Sequence, residues 1–349
     1  MSTFKAFEKV GKRLRSFCSP KARKAYQELC AKGLPKNPKQ PFIALDLKAT
    51  ELDADGGRYF YYIVKDILSA GYTPIIKTHY TFLSTFAYKR YKALTLDLPI
   101  GFYNGSPPEG TALTLTDHKE EQTMNSIPLI YEERLPRATE VALPYCSHPY
   151  IMEKESDLKF IRSDHPRTKT IFFAGGISRP KYANPILRKK YGIMPRADGL
   201  DLILKNAHKL DMNQLSLHYQ PENRIPQDQW LQTLGNSSFF LAFPGVSMPI
   251  SHNLVEALSV GTIPILQYAE YLTPPLENDI NCLTFSNQTE FIKVIQKAST
   301  LSPKEIARLS KSVIEYYERN LKLGNFTQRL LRTSPEGIIV NEFMVAKNL

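Results

Sequence analysis

Residues 237–267 place a strand, a loop, a helix, a glycine and a second strand in immediate succession, which constrains the fold more than any other feature. "SFFLAF" predicts a buried strand, and the following "PGVSMPI" predicts a loop. Ser251 suits a helix N-cap, Gly261 suits a helix stop, and "TIPILQ" predicts a second buried strand. A crossover helix joins parallel strands, so this segment predicts a βαβ unit.

A second βαβ unit is predicted near the start of the chain. "FIALDL" and "YTPIIKTH" read as strands, and "GRYFYYIVKDILSAG" between them has the apolar spacing of a helix. The loop "KATELDADGG" opens at the carboxyl edge of the sheet, where ligands bind in such folds. Gly56 and Gly57 in this loop would let a ligand approach the backbone, and we place them on the acceptor side of a site.

The chain of 349 residues suits two domains, and the α/β pattern restarts after the charged stretch 151–167. We expect two Rossmann-like domains facing across a cleft, with a basic helical extension before them. The predicted ranges are 1–40 for the extension and linker, 41–155 for the first domain, 156–325 for the second, and 326–349 for a tail.

Positive charge is concentrated at the amino end, since residues 1–40 carry eleven Lys or Arg and only two acids within a net charge of +11. Residues 1–24 could bind an anionic membrane surface as an amphipathic helix, or that helix could pack on the protein. Nucleic acid is a weaker alternative because no recognisable binding motif accompanies the arm. With no transmembrane run, no signal peptide and four scattered cysteines, we expect a cytoplasmic protein, peripheral on the inner face of the membrane if the arm binds lipid.

The crossover at 237–267 can bind a nucleotide. A helix amino terminus presents unpaired N–H groups and partial positive charge, which suit a diphosphate. Glu256 lies about one turn into the helix, where its carboxylate could accept hydrogen bonds from a ribose diol.

The same residues resemble the carboxyl-terminal domain of GT-B glycosyltransferases, especially the exostosin-like group, over about 60 residues. The matching positions are Pro244, Gly245, Ser251, Glu256, Ala257, Leu258, Gly261, Ile263 and Pro264. The resemblance implies a GT-B fold in which the second domain binds the nucleotide-sugar donor. Gly245, Ser251, His252, Asn253 and Glu256 would then contact the nucleotide, with Glu256 on the ribose.

Two positions depart from that family pattern. Asn253 stands where an arginine is common. Met248 stands where many retaining enzymes carry an acid, which favours an inverting enzyme.

The missing cation is predicted in "FAGGISRPK", where Gly175 and Gly176 make the turn and Arg179 and Lys181 could reach the diphosphate. No Asp-x-Asp motif occurs at a strand end, so we predict neither a metal nor another cofactor.

An inverting transferase needs a general base for the acceptor hydroxyl, and Asp55, Asp117 and His118 lie at suitable loop and strand ends of the first domain. The sequence therefore predicts transfer of a sugar from a nucleoside-diphosphate donor to a hydroxyl of a glycan or lipid-linked acceptor, of the bacterial polysaccharide or lipopolysaccharide type. The alternatives are a sugar-nucleotide epimerase and a non-catalytic module that binds glycan or nucleic acid.

Overall fold

The computed structural model describes residues 19–35, 41–118, 125–163, 167–246 and 248–340. These residues divide between two compact units, one bounded by Met1–Leu143 and Leu323–Leu349, the other by Pro144–Lys322. Most of the predicted basic arm lies outside the described residues, and so does the end of the predicted tail. The described part of that arm includes a helix, Pro20–Lys32, in the first unit.

The first unit contains a seven-stranded parallel sheet in the order β3-β2-β1-β4-β5-β12-β6, with elements numbered along the chain. Its strands are β1 Phe42–Asp46, β2 Thr73–Lys77, β3 Gly101–Tyr103, β4 Thr111–Thr116, β5 Ser126–Ile130, β6 Glu140–Ala142 and β12 Gly337–Ile339. Its helices are α1 Pro20–Lys32, α2 Arg58–Ser69, α3 Tyr80–Leu83, α4 Arg90–Leu94 and α14 Asn325–Thr333.

Strand order in this sheet reverses direction at β1. The chain moves from β1 to β2 and β3 on one side, then returns to place β4 on the other side of β1. In open α/β sheets such a switch point leaves a crevice at the carboxyl ends of the strands. Asp46, at the end of β1, therefore lies where a ligand would enter this unit.

Asp66 attaches the carboxyl-terminal segment to the first unit. Its fully buried carboxylate accepts hydrogen bonds from the backbone N–H of Gly324 and Thr327, both at 2.7 Å, and from the Thr327 hydroxyl at 2.6 Å. Burial raises the pKa of Asp66, against these donors. An acid at the start of α14 satisfies N–H groups that have no partner within the helix. Residues 323–340 thus form part of the first unit, whereas the sequence suggested a separate tail from 326.

The second unit contains a five-stranded parallel sheet in the order β11-β10-β9-β7-β8. Its strands are β7 Thr168–Ala174, β8 Leu215–His218, β9 Ser237–Leu241, β10 Ile263–Leu266 and β11 Leu283–Thr284. Its helices are α5 Pro149–Met152, α6 Leu158–Ser163, α7 Arg179–Tyr182, α8 Pro185–Tyr191, α9 Arg196–Lys205, α10 Trp230–Asn236, α11 His252–Ser259, α12 Gln288–Thr300 and α13 Pro303–Asn320.

Both predicted βαβ units are present. Strands β9 and β10 are parallel neighbours joined by α11, and β1 and β2 are parallel neighbours joined by α2. Some local predictions differ from the structure. The segment "IPQDQWLQTLGNS" predicts a helix that begins at Pro226, whereas α10 begins at Trp230. Ser251 occupies the N-cap position of α11 without a capping bond from its side chain. No helix among the described residues has the length and apolar composition needed to span a bilayer.

Candidate functional site

A cavity of about 450 Å³ lies in the second unit beside the amino end of α11. Its lining comes from the loop after β7, the end of β8, the segment before α10, and the first turns of α5 and α11. The lining residues are His148, Ile151, Ala174, Gly175, Gly176, Tyr182, His218, Tyr219, Arg224, Ile225, Gln227, Trp230, His252, Asn253 and Glu256. The cavity therefore combines a helix amino end with aromatic rings, one acid and a cation.

Glu256 is the buried acid of this cavity, with only 2% of its surface exposed. One carboxylate oxygen accepts a hydrogen bond from the His148 backbone N–H at 3.0 Å, and the other accepts from the Trp230 indole N–H at 2.6 Å. Glu256 thus both joins two neighbouring segments and lines the cavity.

Five of the nine donor-site residues predicted from sequence line the cavity, namely Gly175, Gly176, His252, Asn253 and Glu256. A Cβ on Gly175 would lie 2.8 Å from Nη1 of the buried Arg196, so a side chain there would have to displace this guanidinium. Gly245 and Ser251 belong to the loop that leads into α11 but do not line the cavity.

The two cations predicted for the diphosphate do not line the cavity. Arg179 is exposed and forms an ion pair with Asp201, and the exposed Lys181 places its ammonium 5.2 Å from the centre of the Tyr182 ring. Arg224 lines the cavity instead, and within the described part of the chain no acid pairs with it. The sequence pattern did not single out Arg224, because it lies in the irregular segment between β8 and α10.

Arg196 is a second cation that sequence reasoning missed. It lies at the start of α9, is only 7% exposed, and donates to the carbonyl oxygens of Gly176 at 3.3 Å and Pro244 at 3.2 Å. Its Nε is buried without a hydrogen-bond partner, and its guanidinium lies 4.5 Å from the centre of the Tyr182 ring. Burial lowers its pKa. Arg196 therefore links the loop of Gly175 and Gly176 to the loop that begins at Pro244, and it places a buried positive charge behind both loops.

Aromatic and imidazole groups make up much of the remaining lining. Trp230 packs against Phe172 and Phe240, with ring centroids 5.8 and 6.4 Å apart respectively. His218 is held by the Ser216 hydroxyl at 2.9 Å and by the Asn223 carbonyl at 2.8 Å. Flat rings of this kind provide stacking surfaces for a ligand with an aromatic base. A smaller neighbouring cavity of about 290 Å³, which shares Ile151 and Gln227 with the first, is lined by none of the predicted residues.

The three predicted catalytic residues have different surroundings in the first unit. Asp55 has a left-handed backbone (φ 50°), and its half-exposed carboxylate pairs with Arg58 at 2.7 Å. Asp117 accepts the backbone N–H groups of Lys48 and Ala49, both at 2.8 Å, and burial raises its pKa against these two bonds. Asp117 therefore holds the loop after β1 in place.

His118 belongs to a cluster at the switch point of the first sheet. Asp46 Oδ1 lies 2.8 Å from His118 Nε2 and 2.5 Å from His79 Nε2, while Asp46 Oδ2 accepts from Lys77 Nζ at 2.9 Å. Burial raises the pKa of Asp46, but the hydrogen bonds from His79, Lys77 and His118 outweigh that effect and hold it well below its usual value. The sequence had indicated only His118 of these four residues.

Close packing against neighbouring residues leaves little room for a side chain at Gly56 and Gly57. Gly57 has a φ of 87°, and a Cβ on it would lie 2.6 Å from the Cβ of Lys92. A Cβ on Gly56 would lie 3.2 Å from the Tyr91 ring. These contacts account for both glycines without a ligand, and their placement on the acceptor side stays a prediction.

The chain matches no family model and no curated protein. Among solved structures, it is similar to a glycosyltransferase from Rickettsia africae, with 10% identity, a TM-score of 0.45, and coverage of 90% of this chain and 100% of that one. It is also similar to Anabaena HepE in complex with UDP and glucose, with 9% identity, a TM-score of 0.40, and coverage of 85% and 99%. For WaaG, a glycosyltransferase involved in lipopolysaccharide biosynthesis, the identity is 10%, the TM-score 0.36, and the coverage 82% and 98%. These values assign the chain to no family.

Proposed function

We propose that this protein is a glycosyltransferase that takes a sugar from a nucleoside-diphosphate donor. The observation that carries the proposal is the cavity at the amino end of α11, which is lined by the buried Glu256 and by Arg224, a cation that pairs with no acid among the described residues. Two charged groups here suit a nucleotide. An acid can accept hydrogen bonds from the ribose hydroxyls, and a cation can pair with the diphosphate. The resemblance of residues 244–264 to the GT-B pattern supports the same assignment.

Release of the nucleoside diphosphate is the main electrostatic task of such a transfer. In our proposal Arg224 and the amino end of α11 stabilise the negative charge that develops on the diphosphate. Arg196 holds the two adjacent loops in place through its hydrogen bonds to the carbonyls of Gly176 and Pro244. Gly245 and Ser251 remain proposed donor contacts, whereas our proposal places Arg224 at the diphosphate in the role that the sequence suggested for Arg179 and Lys181. This arrangement needs no metal at the donor phosphates.

The acceptor hydroxyl is proposed to react at the carboxyl edge of the first sheet. Among Asp55, Asp117 and His118 we favour His118, because only one of its ring nitrogens, Nε2, is paired with Asp46, and that carboxylate would stabilise the imidazolium formed when His118 takes a proton. Both oxygens of Asp117 accept backbone N–H groups, and the carboxylate of Asp55 pairs with Arg58. An inverting reaction, a lipid-linked or polysaccharide acceptor, and attachment to the inner membrane face through residues 1–24 complete the proposal.

A sugar-nucleotide epimerase would use the same cavity and need no acceptor. Consumption of the donor without an added acceptor and without release of nucleoside diphosphate would favour the epimerase. A non-catalytic module would release no nucleoside diphosphate with any donor.

Thermal unfolding in the presence of UDP, GDP, CMP and ADP sugars tests the donor site directly. A ligand at about 100 times its Kd stabilises the folded state by about 2.7 kcal/mol, so one nucleotide class should raise the Tm clearly. The Arg224→Ala variant should lose that shift, while Arg179→Ala, which changes an exposed cation outside the cavity, should keep it. The absence of a shift with every nucleotide sugar would contradict the proposal.

A further inference from the structure

Three side chains at adjacent strand ends of the first sheet converge on one point. Asp46 ends β1, His79 follows β2, and His118 follows β4, and these strands are neighbours in the order β2-β1-β4. One ligand atom from each residue lies within 4.8 Å of the others. The parallel topology therefore delivers two imidazoles and a carboxylate to the switch point, although 72 residues separate Asp46 from His118 in the chain.

We propose that Asp46, His79 and His118 form a binding site for one divalent transition-metal ion. Two imidazole nitrogens and one carboxylate oxygen are a ligand set that suits zinc, iron, cobalt or nickel better than magnesium or calcium, which prefer oxygen ligands. Three protein ligands leave at least one coordination position open, as in catalytic rather than structural zinc sites.

The observed distances are compatible with metal binding after a small adjustment. Tetrahedral ligands about 2.0–2.1 Å from zinc lie about 3.3–3.4 Å from each other. Here Asp46 Oδ1 lies 2.5 and 2.8 Å from the two Nε2 atoms. Each imidazole Nε2 would need to move away from Asp46 Oδ1 by less than about 1 Å. The centroids of the two imidazole rings are 5.6 Å apart with an interplanar angle of 89°, so neither ring stacks on the other and resists this movement.

Neighbouring groups already orient the carboxylate. Lys77 Nζ binds the second oxygen of Asp46 at 2.9 Å and so directs Oδ1 towards the two imidazoles. Hydrogen bonds of this kind to the non-ligating atoms of a site fix its ligands in place. All three ligand side chains are largely buried, with exposed fractions of 8% for Asp46, 21% for His79 and 13% for His118. Burial limits competition from water, while the partial exposure of His79 leaves a path for the ion.

The metal site shares no residue with the donor cavity, and its link to catalysis rests on the proposed function. A metal ion with an open position lowers the pKa of a bound water or hydroxyl. An acceptor hydroxyl held there would release its proton to solvent water more readily. His118 would then be a metal ligand, and the metal would replace the general base that the proposed function assigns to His118. The sequence-based expectation of no metal was based on the donor side and did not consider Asp46 and His79.

Metal binding is measured on the full-length protein with Co²⁺, through its visible absorption, and with Zn²⁺ by calorimetry after treatment with a chelator. We expect one equivalent per chain, with the affinity reduced at least tenfold in His79→Ala and in Asp46→Asn. His208→Ala, which removes an exposed histidine of the second unit, should bind the ion like the wild type. Near-UV circular dichroism shows whether each variant is folded, and the more exposed His79 provides the variant least disruptive to the fold.

Failure to bind stoichiometric Co²⁺ or Zn²⁺, or equal affinities in wild type and both site variants, would overturn the metal proposal. The three residues would then form a hydrogen-bonded cluster around the Asp46 carboxylate. Nucleotide binding measured on the same samples separates the two proposals, because the nucleotide cavity contains none of the three residues. A protein that binds nucleotide but no metal retains the proposed function and loses only this inference.

Discussion

The indole N–H of Trp230 donates a hydrogen bond to the buried Glu256 carboxylate at 2.6 Å, which connects the first turn of α10 to α11. The other carboxylate oxygen accepts from the His148 backbone. A charged acceptor strengthens such bonds, and a buried carboxylate that loses a donor is costly. Trp230 therefore sets the position of the acid that we assign to the ribose.

Replacing Trp230 with Phe should lower the free energy of unfolding by about 1.5–3 kcal/mol, because the Glu256 carboxylate loses a donor while a ring still packs on Phe172 and Phe240. Urea denaturation measures the change. In a Glu256→Gln background the same replacement should cost less, since no charged acceptor remains. Equal costs in both backgrounds would show that the effect comes from packing alone.

Removing Arg224 should weaken binding of a nucleoside diphosphate at least tenfold, because this cation lines the cavity and pairs with no acid in the part of the chain that the structure describes. Arg179→Ala should change the Kd less than twofold, since Arg179 pairs with Asp201 and does not line the cavity. Calorimetry at two salt concentrations measures both variants. A larger loss in Arg179→Ala than in Arg224→Ala would restore the assignment made from sequence.

The fully buried Lys92 provides a test of stability in the first unit. Its ammonium binds Asp53 Oδ1, the Phe82 carbonyl and the Thr85 hydroxyl, each at 2.8 Å. Lys92→Met should destabilise the protein by about 3–5 kcal/mol, because it leaves the buried Asp53 carboxylate without its counter-ion. The double variant Lys92→Met/Asp53→Leu should recover part of that loss. A double variant no more stable than Lys92→Met would contradict an electrostatic origin.

Lys92 also predicts a pH dependence. Burial lowers its pKa to about 8, despite the opposing effect of Asp53. Between about pH 8 and the ordinary lysine pKa of about 10.4, the unfolded chain holds this proton while the folded chain has released it. The contribution of Lys92 to stability should therefore increase with pH across that window. Chemical denaturation of wild type and Lys92→Met at several pH values measures this contribution as the difference in their free energies of unfolding. A difference that does not change with pH would refute the prediction.

Asp66→Asn should destabilise the first unit by at least about 2 kcal/mol, because the carboxylate serves three donors at the start of α14. The matched control is Asp97→Asn, which changes an exposed acid of the same unit. Guanidinium denaturation measures both, and limited proteolysis should show earlier cleavage near residue 323 in Asp66→Asn. Equal stability of the two variants would show that Asp66 does not hold this segment.

Local patterns in the sequence predicted both βαβ units, because strand alternation, caps and glycine stops act over a few residues. For example, "SPKEIARL" predicts a helix with Ser302 as its N-cap and Glu305 three residues later, and both hydrogen bonds of this capping box are present at the start of α13. The same local reasoning identified the position of Glu256 behind its loop. It could not show that Trp230 and the His148 backbone would both bind the carboxylate.

Features that depend on strand order were not predictable in the same way. The Asp46 cluster forms only because β2 and β4 lie on either side of β1, and no periodicity in the sequence reports that arrangement. Arg196 and Arg224 lie in segments without a recognisable pattern, so the predicted cations were placed at the nearer glycine loop. Our proposal therefore assigns the diphosphate to Arg224 instead of Arg179, because only the tertiary fold shows which cation lines the cavity.

Strand β12 is inserted between β5 and β6, although about 200 residues separate it from them in the chain. The ribosome synthesises β5 and β6 early. The strand that hydrogen-bonds to both of them, residues 337–339, is synthesised only near the end of the chain. The whole second unit is translated during that interval. Completion of the first sheet is therefore a late event in biosynthesis, and a nascent chain exposes two unpaired strand edges until then.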